Sequence, residues 1–347
     1  MAREHLTKAD SYLVTWTVEP GEAGTRLDLF LKEKYRKLSR EYLQQSIREG
    51  NVTLNHRNTK PSQLLKVRDK VYVLSTNTGA EPEVDLSYKT IFEDEHILVV
   101  DKPGNLPVHP TGRYFFNTLL TQLRVSLGTS ASGQPGYEVD QKKEFYLVHR
   151  IDRETSGLLV IGKTSAAAAS RVAQWEQKGV TKEYLAIVKG RVARDKFVVD
   201  APLGKDPHSV IKLKMHVVEM GAGGEPLFLP KSEVLPSKTG VEVVERVGDY
   251  TVVKCTPHTG RQHQIRVHLH HVGHPICGDK LYGTDAEFFL RTMKETLHVE
   301  VERGLSLTRH ALHAYRLGFR HPVTGEPMTF TSGLPPELDE FLQKVRK

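Results

Sequence analysis

A polar segment, HRIDRETSG (His149 to Gly157), sits between two apolar runs, EFYLVH (Glu144 to His149) and GLLVIG (Gly157 to Gly162). Short runs rich in β-branched and aromatic residues, bounded by turn formers, read as strands. The charged residues between them must therefore occupy a tight loop at a sheet edge or cleft. The same signature recurs in HILVV (His96 to Val100), KEYLAIVKG (Lys182 to Gly190) and YTVVKCT (Tyr250 to Thr256). Two helices interrupt the strands. One covers Ala166 to Lys178, opened by Thr164 or Ser165 and closed by Gly179; the other covers Arg261 to Val272, with Ile265, Leu269 and Val272 on one face and Gly273 as its stop. There is neither an internal repeat nor a low-complexity tract.

With 347 residues the chain exceeds a typical domain of roughly 100 to 200, so two domains are expected. The charge is distributed unevenly between them. Between Thr25 and Lys70, 12 Lys and Arg stand against 5 Asp and Glu, a net of +7, which equals the formal charge of the whole chain. Within that segment Leu27, Phe30 and Leu31 share one helical face, with Arg26, Lys32, Lys34 and Arg36 on others. Ser39 is positioned to cap a second helix that buries Leu43 and Ile47 and stops at Gly50. Strand patterns follow at Asn51 to Asn55 and Lys70 to Leu74. By composition alone a solvated surface and a nucleic-acid face are about equally good readings.

The order of elements favours the second reading. Helix, basic turn KLSR, helix and a strand pair around NHRNTKPS together resemble the RNA-binding domain named after ribosomal protein S-four. The resemblance implies RNA contacts from Arg40 and Arg48 on the second helix and from the Lys60, Pro61, Ser62 turn, with Arg26 and Arg36 extending the basic face. At Lys66 to Asp69 the family commonly has Gly-Asp, so a looser turn is expected there. The expected organisation is an RNA-binding domain over 12–75, a linker over 76–84 where Gly, Pro and polar residues cannot build a core, and a catalytic domain over 85–347.

Composition excludes several classes. Two cysteines, Cys255 and Cys277, supply neither a disulfide framework nor a cysteine-based metal site. The first residues lack the apolar core of a signal peptide, and no apolar run approaches the ~20 residues that span a bilayer. A cytoplasmic protein with no membrane partner is expected.

An isolated Asp in a loop such as HRIDRETSG is by default a turn residue, with Thr155, Ser156 and a positive-φ Gly157 completing the turn. The surrounding residues change that reading. The segment resembles the HRLDxxTSG signature of the RluA-type pseudouridine synthases, with Ile151 in place of Leu. DKPGNLPVHP (Asp101 to Pro110), KEYLAIVKG, GRQHQIRVHLHHVGHPICGDKLYG (Gly260 to Gly283) and LHAYRLGFRHPVTGEPMTF (Leu312 to Phe330) extend the resemblance in the family's order.

What the resemblance implies is an isomerase that detaches uracil from ribose, turns it and rejoins it through carbon 5, on an α+β fold with a mixed, mainly antiparallel sheet. Asp152 would be the essential carboxylate, ionised and acting as nucleophile or base, on the sugar or on the base. Tyr184 would pack against uracil or take part in proton transfer; its structural alternative is a strand Tyr facing the core. Arg266 would hold Asp152 charged and aimed. Arg150 would occupy the position vacated by the expelled nucleotide. Lys102, His109, Arg261 and Gln264 are candidates for phosphate or base contacts, with ordinary surface as the alternative.

Five histidines between His263 and His274 invite a metal. The i, i+4 pair His270 and His274 straddles the helix stop at Gly273 and no acidic residue completes a ligand set, so no metal site is expected. No cofactor is implied, because the isomerisation is redox-neutral. The GAGGEPLFLPKSEVLPSKTG stretch, 221–240, is longer and richer in Pro and Gly than the family shows and reads as a surface insertion. The sequence thus points to a monomeric RNA pseudouridine synthase acting on structured RNA. Large-subunit rRNA is the favoured substrate; tRNA, or a non-catalytic RNA-binding or chaperone role, is the alternative.

Overall fold

The computed structural model describes residues 11–35, 38–76, 81–111, 114, 117–127, 137–139, 145–176, 179–292 and 307–346. They fall into two compact units, one built from Val84–Val108 with Tyr146–Lys347 and the other from His5–Glu83 with His109–Phe145.

The basic unit follows its sequence pattern closely at the helices. Helix Leu27–Lys34 buries Leu27, Phe30 and Leu31, and helix Arg40–Arg48 buries Leu43 and Ile47. The Ser39 hydroxyl accepts the Tyr42 amide at 3.1 Å as its cap, and Gly50 ends the second helix at φ +81°. A five-stranded sheet packs beside them in the order Arg57–Asn58, Val52–Leu54, Lys70–Thr76, Ser11–Thr17, Tyr137–Val139. Where the family commonly has Gly-Asp, Arg68 itself adopts φ +70°, and its amide donates to the Val18 carbonyl at 2.9 Å. The turn is made without the glycine.

The described residues of this region divide differently from the expected bounds. The segment 109–145 groups with the basic unit rather than with the catalytic one, and its strand Tyr137–Val139 adds to the sheet in parallel with Ser11–Thr17. The stretch 76–84 is also not a plain tether. Glu81 accepts the Asn117 amide at 2.8 Å and the Pro82 carbonyl accepts the Asn117 side chain at 3.1 Å, while 77–80 lie outside the described residues.

The larger unit is built on a ten-stranded sheet. Its main path runs Lys196–Asp200, Lys238–Val247, Tyr250–Pro257, Thr181–Lys189, Leu312–Arg320, Ser156–Gly162, Ile97–Lys102, Lys89–Glu93. Strand Pro327–Thr331 pairs with Leu312–Arg320, and Tyr146–Leu147 pairs with Ser156–Gly162. Every pairing in this sheet is antiparallel except that of Leu312–Arg320 with Ser156–Gly162. Strand Ser156–Gly162 is buried along its whole length, as a continuous apolar run flanked by strands on both sides requires. Helix Gln264–His271 buries Ile265 and Leu269 against the sheet in one core with Val253 and Cys255.

Helix Ser165–Glu176 begins where its cap predicts, with the Thr164 hydroxyl accepting the Ala167 amide at 3.1 Å. Helix Gln264–His271 starts three residues later than its pattern suggests, because His263 before it is left-handed at φ +56°. The 221–240 stretch is partly ordered structure: Lys231–Glu233 forms a 3-10 turn and its last residues, from Lys238, belong to strand Lys238–Val247. Among the described residues no helix is long and apolar enough to cross a membrane.

The parallel pairing is only two residues long, His313 with Ser156 and Ala314 with Gly157. It fixes the loop that carries Asp152. Gly157 has φ +106°, and a Cβ there would run into the backbone of Ala314. Replacing Gly157 with Ala is therefore expected to destabilise the protein by at least ~2 kcal/mol, read as a lowered midpoint in denaturant unfolding.

Candidate active site

The 149–157 loop closes with a turn in which the Thr155 amide donates to the Asp152 carbonyl at 3.1 Å. From below, the Lys102 amine donates to the carbonyls of Pro103, at 2.8 Å, and Arg153, at 3.0 Å. Arg309 donates to the Glu154 carbonyl at 2.9 Å and to the Ser156 hydroxyl at 3.1 Å. Buried backbone carbonyls need such partners, and here a lysine and an arginine supply them; burial, with Arg309 adding, lowers the Lys102 amine well below its usual range. The loop is held as a rigid platform.

Asp152 projects from this platform into a cleft of about 280 Å³, whose lining includes Arg150, Tyr184, Arg261, His263 and Arg266. That volume suits a single small ligand. Arg266, 7% exposed, donates one N–H to Asp152 at 2.9 Å and two others to Asp279 at 2.6 and 2.8 Å. Asp279 also accepts the amides of Leu281 and Tyr282 at 2.9 and 3.0 Å. The guanidinium is thus gripped in a bidentate fork that fixes its plane and leaves its remaining edge for Asp152. The Tyr282 ring lies 5.0 Å from the guanidinium carbon, within cation–π range.

Burial alone would raise the Asp152 carboxyl. Arg266 is the largest of the influences that oppose it, His263 and His310 add to it, and together they hold the carboxyl down to about 2. Burial pulls His263 down to about 4 and His310 to about 3, in each case with Arg266 adding. Both imidazoles are therefore neutral at neutral pH, which leaves the guanidinium as the cation that keeps Asp152 ionised.

Tyr184 comes to the cleft on strand Thr181–Lys189, directly after a bulge between Glu183 and Tyr184 in its pairing with Leu312–Arg320. Such a bulge re-aims a side chain. Burial, with Asp152 adding, pushes the Tyr184 hydroxyl well above its usual range, so it remains a neutral donor. Arg150 is exposed at the rim, as is Arg261, which donates to the Pro236 carbonyl at 3.3 Å.

Two residues expected to contact RNA lie inside the protein. Lys102 is fully buried beneath the loop and its amine is engaged by carbonyls. Gln264 is also buried: its amide donates to the Lys238 carbonyl and the Thr239 hydroxyl, each at 3.0 Å, and its oxygen accepts from Thr259 and the Arg261 amide. Both are internal struts. His109 is half-buried and belongs to the other unit. Arg26 and Arg40 are partly exposed, yet both guanidinium groups bind the fully buried Asp28, at 3.0 and 2.8 Å. Arg48 and Lys60 are exposed; Arg36 lies outside the described residues.

Sequence reasoning missed Asp279, His263, Tyr282, Glu154, Lys280 and His310. Asp279, Lys280 and Tyr282 stand in the block GDKLYG, where nothing in the spacing ties them to Asp152. Glu154 pairs with Lys280 at 2.9 Å, and His310 meets the Thr155 hydroxyl at 2.8 Å. The clustered histidines are drawn to separate partners: His268 to Thr239 and the Ala201 carbonyl, His274 to the Lys189 carbonyl. Among the described residues no group of three or more His, Cys, Asp or Glu could hold a metal ion.

A carboxylate kept charged in a cleft by a clamped arginine, with a neutral phenol beside it, is equipped for nucleophilic or base chemistry at a carbon centre. Comparison with known proteins identifies the class. Residues 96–271 match the family model described as RNA pseudouridylate synthase. The chain is 34% identical to ribosomal large subunit pseudouridine synthase D of Neisseria meningitidis, over 93% of this chain and 79% of that protein. It is 33% identical to ribosomal large subunit pseudouridine synthase C of Escherichia coli, over 94% of each. Human RNA pseudouridylate synthase domain containing 4 shares the fold, with a TM-score of 0.55 at 24% identity over 74% of this chain and 92% of that one. The chain belongs to the RNA pseudouridylate synthase family. It is an isomerase that acts on RNA.

The Asp152 and Arg266 pair has a measurable consequence. Because the folded carboxyl lies near 2, below its ordinary value near 4, the pair's contribution to stability is present above pH ~4 and lost as pH falls from ~4 toward 2. Replacing Arg266 with Met removes the largest influence that opposes burial and is expected to raise the Asp152 carboxyl. A new acidic limb should then appear in the pH–rate profile of residual activity, at higher pH than any limb of the wild type.

Proposed function

We propose that this chain forms pseudouridine at uridines of large-subunit ribosomal RNA, with Asp152 as the reacting carboxylate. The observation that carries the assignment of the residue is the 2.9 Å contact with Arg266, in a cleft that also receives Tyr184. The choice of RNA rests on relatives named for the large ribosomal subunit; tRNA is the other substrate the family reading allows.

In this reading the target uridine leaves its stack and enters the cleft, since neither face of its glycosidic bond is accessible within a helix. Arg150, exposed at the rim, occupies the vacated position. Asp152 reacts in its ionised form, Arg266 holds it charged and aimed, and Tyr184 packs against the base with a hydroxyl that remains protonated. Arg261 contacts phosphate. The basic unit is an S-four-like RNA-binding domain, and the protein works as a cytoplasmic monomer.

Asp152→Asn is expected to abolish pseudouridine formation and leave folding and RNA binding largely intact, because the substitution removes charge and keeps shape. The measurement is chemical-adduct mapping of rRNA and tRNA from cells that carry the wild-type gene, the variant or no gene. A site present only with the wild type identifies the substrate; wild-type modification by the variant would sink the assignment.

Exposed Arg48 and Lys60 are the residues to alter in the basic unit, since Arg26 and Arg40 also neutralise buried Asp28. Replacing both Arg48 and Lys60 with Glu should raise half-saturation and flatten its salt dependence by roughly 0.7 per lost contact on single-stranded RNA. The maximal single-turnover rate should stay near wild type. A lowered maximal rate at unchanged half-saturation would mean that the unit supports the catalytic fold and does not tether RNA.

A further inference from the structure

His263 takes no part in the reading above, yet its placement is unusual. It is left-handed at φ +56° immediately before helix Gln264–His271, a conformation that costs energy for a side chain with a Cβ. The strain aims its ring into the cleft, where Nε2 lies 4.0 Å from Asp152 Oδ1. On its other side Nδ1 lies 2.9 Å from the hydroxyl of Tyr282.

That hydroxyl determines which nitrogen carries the proton. It already accepts the Met215 amide at 3.0 Å. Tyr282 is 2% exposed, and among the described residues its hydroxyl meets no acceptor other than His263 Nδ1. If Nδ1 were protonated, the hydroxyl would accept twice and its own proton would be buried without a partner, which is strongly disfavoured. The hydroxyl therefore donates to Nδ1, and a neutral His263 must carry its proton on Nε2. Burial keeps the ring neutral.

The cleft thus presents an N–H donor and a carboxylate acceptor 4.0 Å apart, too far to bond each other. A single atom at hydrogen-bond distance from both would need to accept from one and donate to the other. A carbonyl or phosphate oxygen only accepts. Water or a hydroxyl does both, and among the groups that an internal nucleotide of an RNA chain itself offers, the hydroxyl is the ribose 2′-hydroxyl. We propose that His263, fixed as its Nε2–H tautomer by Tyr282, is the receptor for the 2′-hydroxyl of the target nucleotide and seats it on Oδ1 of Asp152. The inference rests on Asp152 being the reacting carboxylate, and it gives the enzyme a means to tell RNA from DNA at that nucleotide.

Two measurements test it. Nitrogen-15 spectra of wild-type protein labelled at histidine, recorded at neutral pH, should show His263 protonated at Nε2 and unprotonated at Nδ1; Tyr282→Phe should shift it toward a mixture. A proton on Nδ1 in the wild type would overturn the proposal. The second uses His263→Gly, which relieves the left-handed strain while removing the ring. Half-saturation for an RNA carrying the mapped uridine is compared with the inhibition constant of the same RNA bearing 2′-deoxyuridine there. Wild type should favour the ribose form by about tenfold or more, and His263→Gly should reduce that preference severalfold, Asp152 retaining its own contact with the hydroxyl. An undiminished preference in the variant would overturn the proposal. Should Asp152→Asn remain active, the active-site reading fails, whereas the tautomer measurement uses no RNA and no turnover and reports on His263 alone.

Discussion

Everything in the cleft depends on a carboxylate, a guanidinium and a second carboxylate in a row: Asp152, Arg266 and Asp279. Removing three charges from water is costly, and such an arrangement survives only when geometry is close to ideal and the remaining lone pairs are satisfied. Asp279 meets that condition with two guanidinium N–H groups and two backbone amides. Asp152 does not. It takes a single N–H from Arg266 and keeps a side chain that is 26% exposed, so of the two carboxylates it is the one with capacity left for a substrate. The asymmetry separates a saturated carboxylate from one with an open acceptor edge on the same arginine.

The fold serves that row of charges by joining segments distant in sequence. Asp152 comes from the loop before a fully buried strand, Arg266 from a helix, Asp279 from the turn after it. The two-residue parallel pairing at Ser156 and Gly157 sets the loop's exit. Lys102 and Arg309 set its floor by binding loop carbonyls. Both donors are turned onto loop carbonyls, so neither takes the hydrogen bond to Asp152 that Arg266 makes. His263 and His310 stay neutral because burial and the neighbouring Arg266 both disfavour a protonated imidazole.

How much of this could be read from the chain differs by residue. Asp152, Tyr184 and Arg266 lie in segments whose resemblance to known synthases covers five blocks, and the geometry brings all three to one cleft. Hydrophobic spacing and caps placed the helices near Leu27, Arg40 and Ser165, because those signals are local. Asp279 was invisible for the opposite reason: its function is a contact with a residue 13 positions away, across a helix end and a turn, and no periodicity encodes that. The burial of Lys102 and Gln264 was not legible, because a polar residue in a polar motif looks available until the carbonyls around it are known. The grouping of 109–145 with the basic unit was equally hidden, since it depends on a strand, Tyr137–Val139, that finds its partner more than a hundred residues earlier.

The charge count of the basic segment changes meaning once Asp28 is seen. On paper that residue subtracts one charge from twelve. In the folded unit it is fully buried and receives N–H groups from Arg26, Arg40 and Gln44, so the cost of burying one carboxylate is offset by two arginines held at the surface. Those arginines are oriented by it, and part of their charge is already neutralised. The outward positive potential of this surface must then come more from cations that are not paired with a buried carboxylate, with Arg26 and Arg40 contributing fixed geometry. Surface potential and fixed geometry are thereby assigned to different cations within one small unit, as an open and a saturated acceptor are assigned to different carboxylates in the cleft.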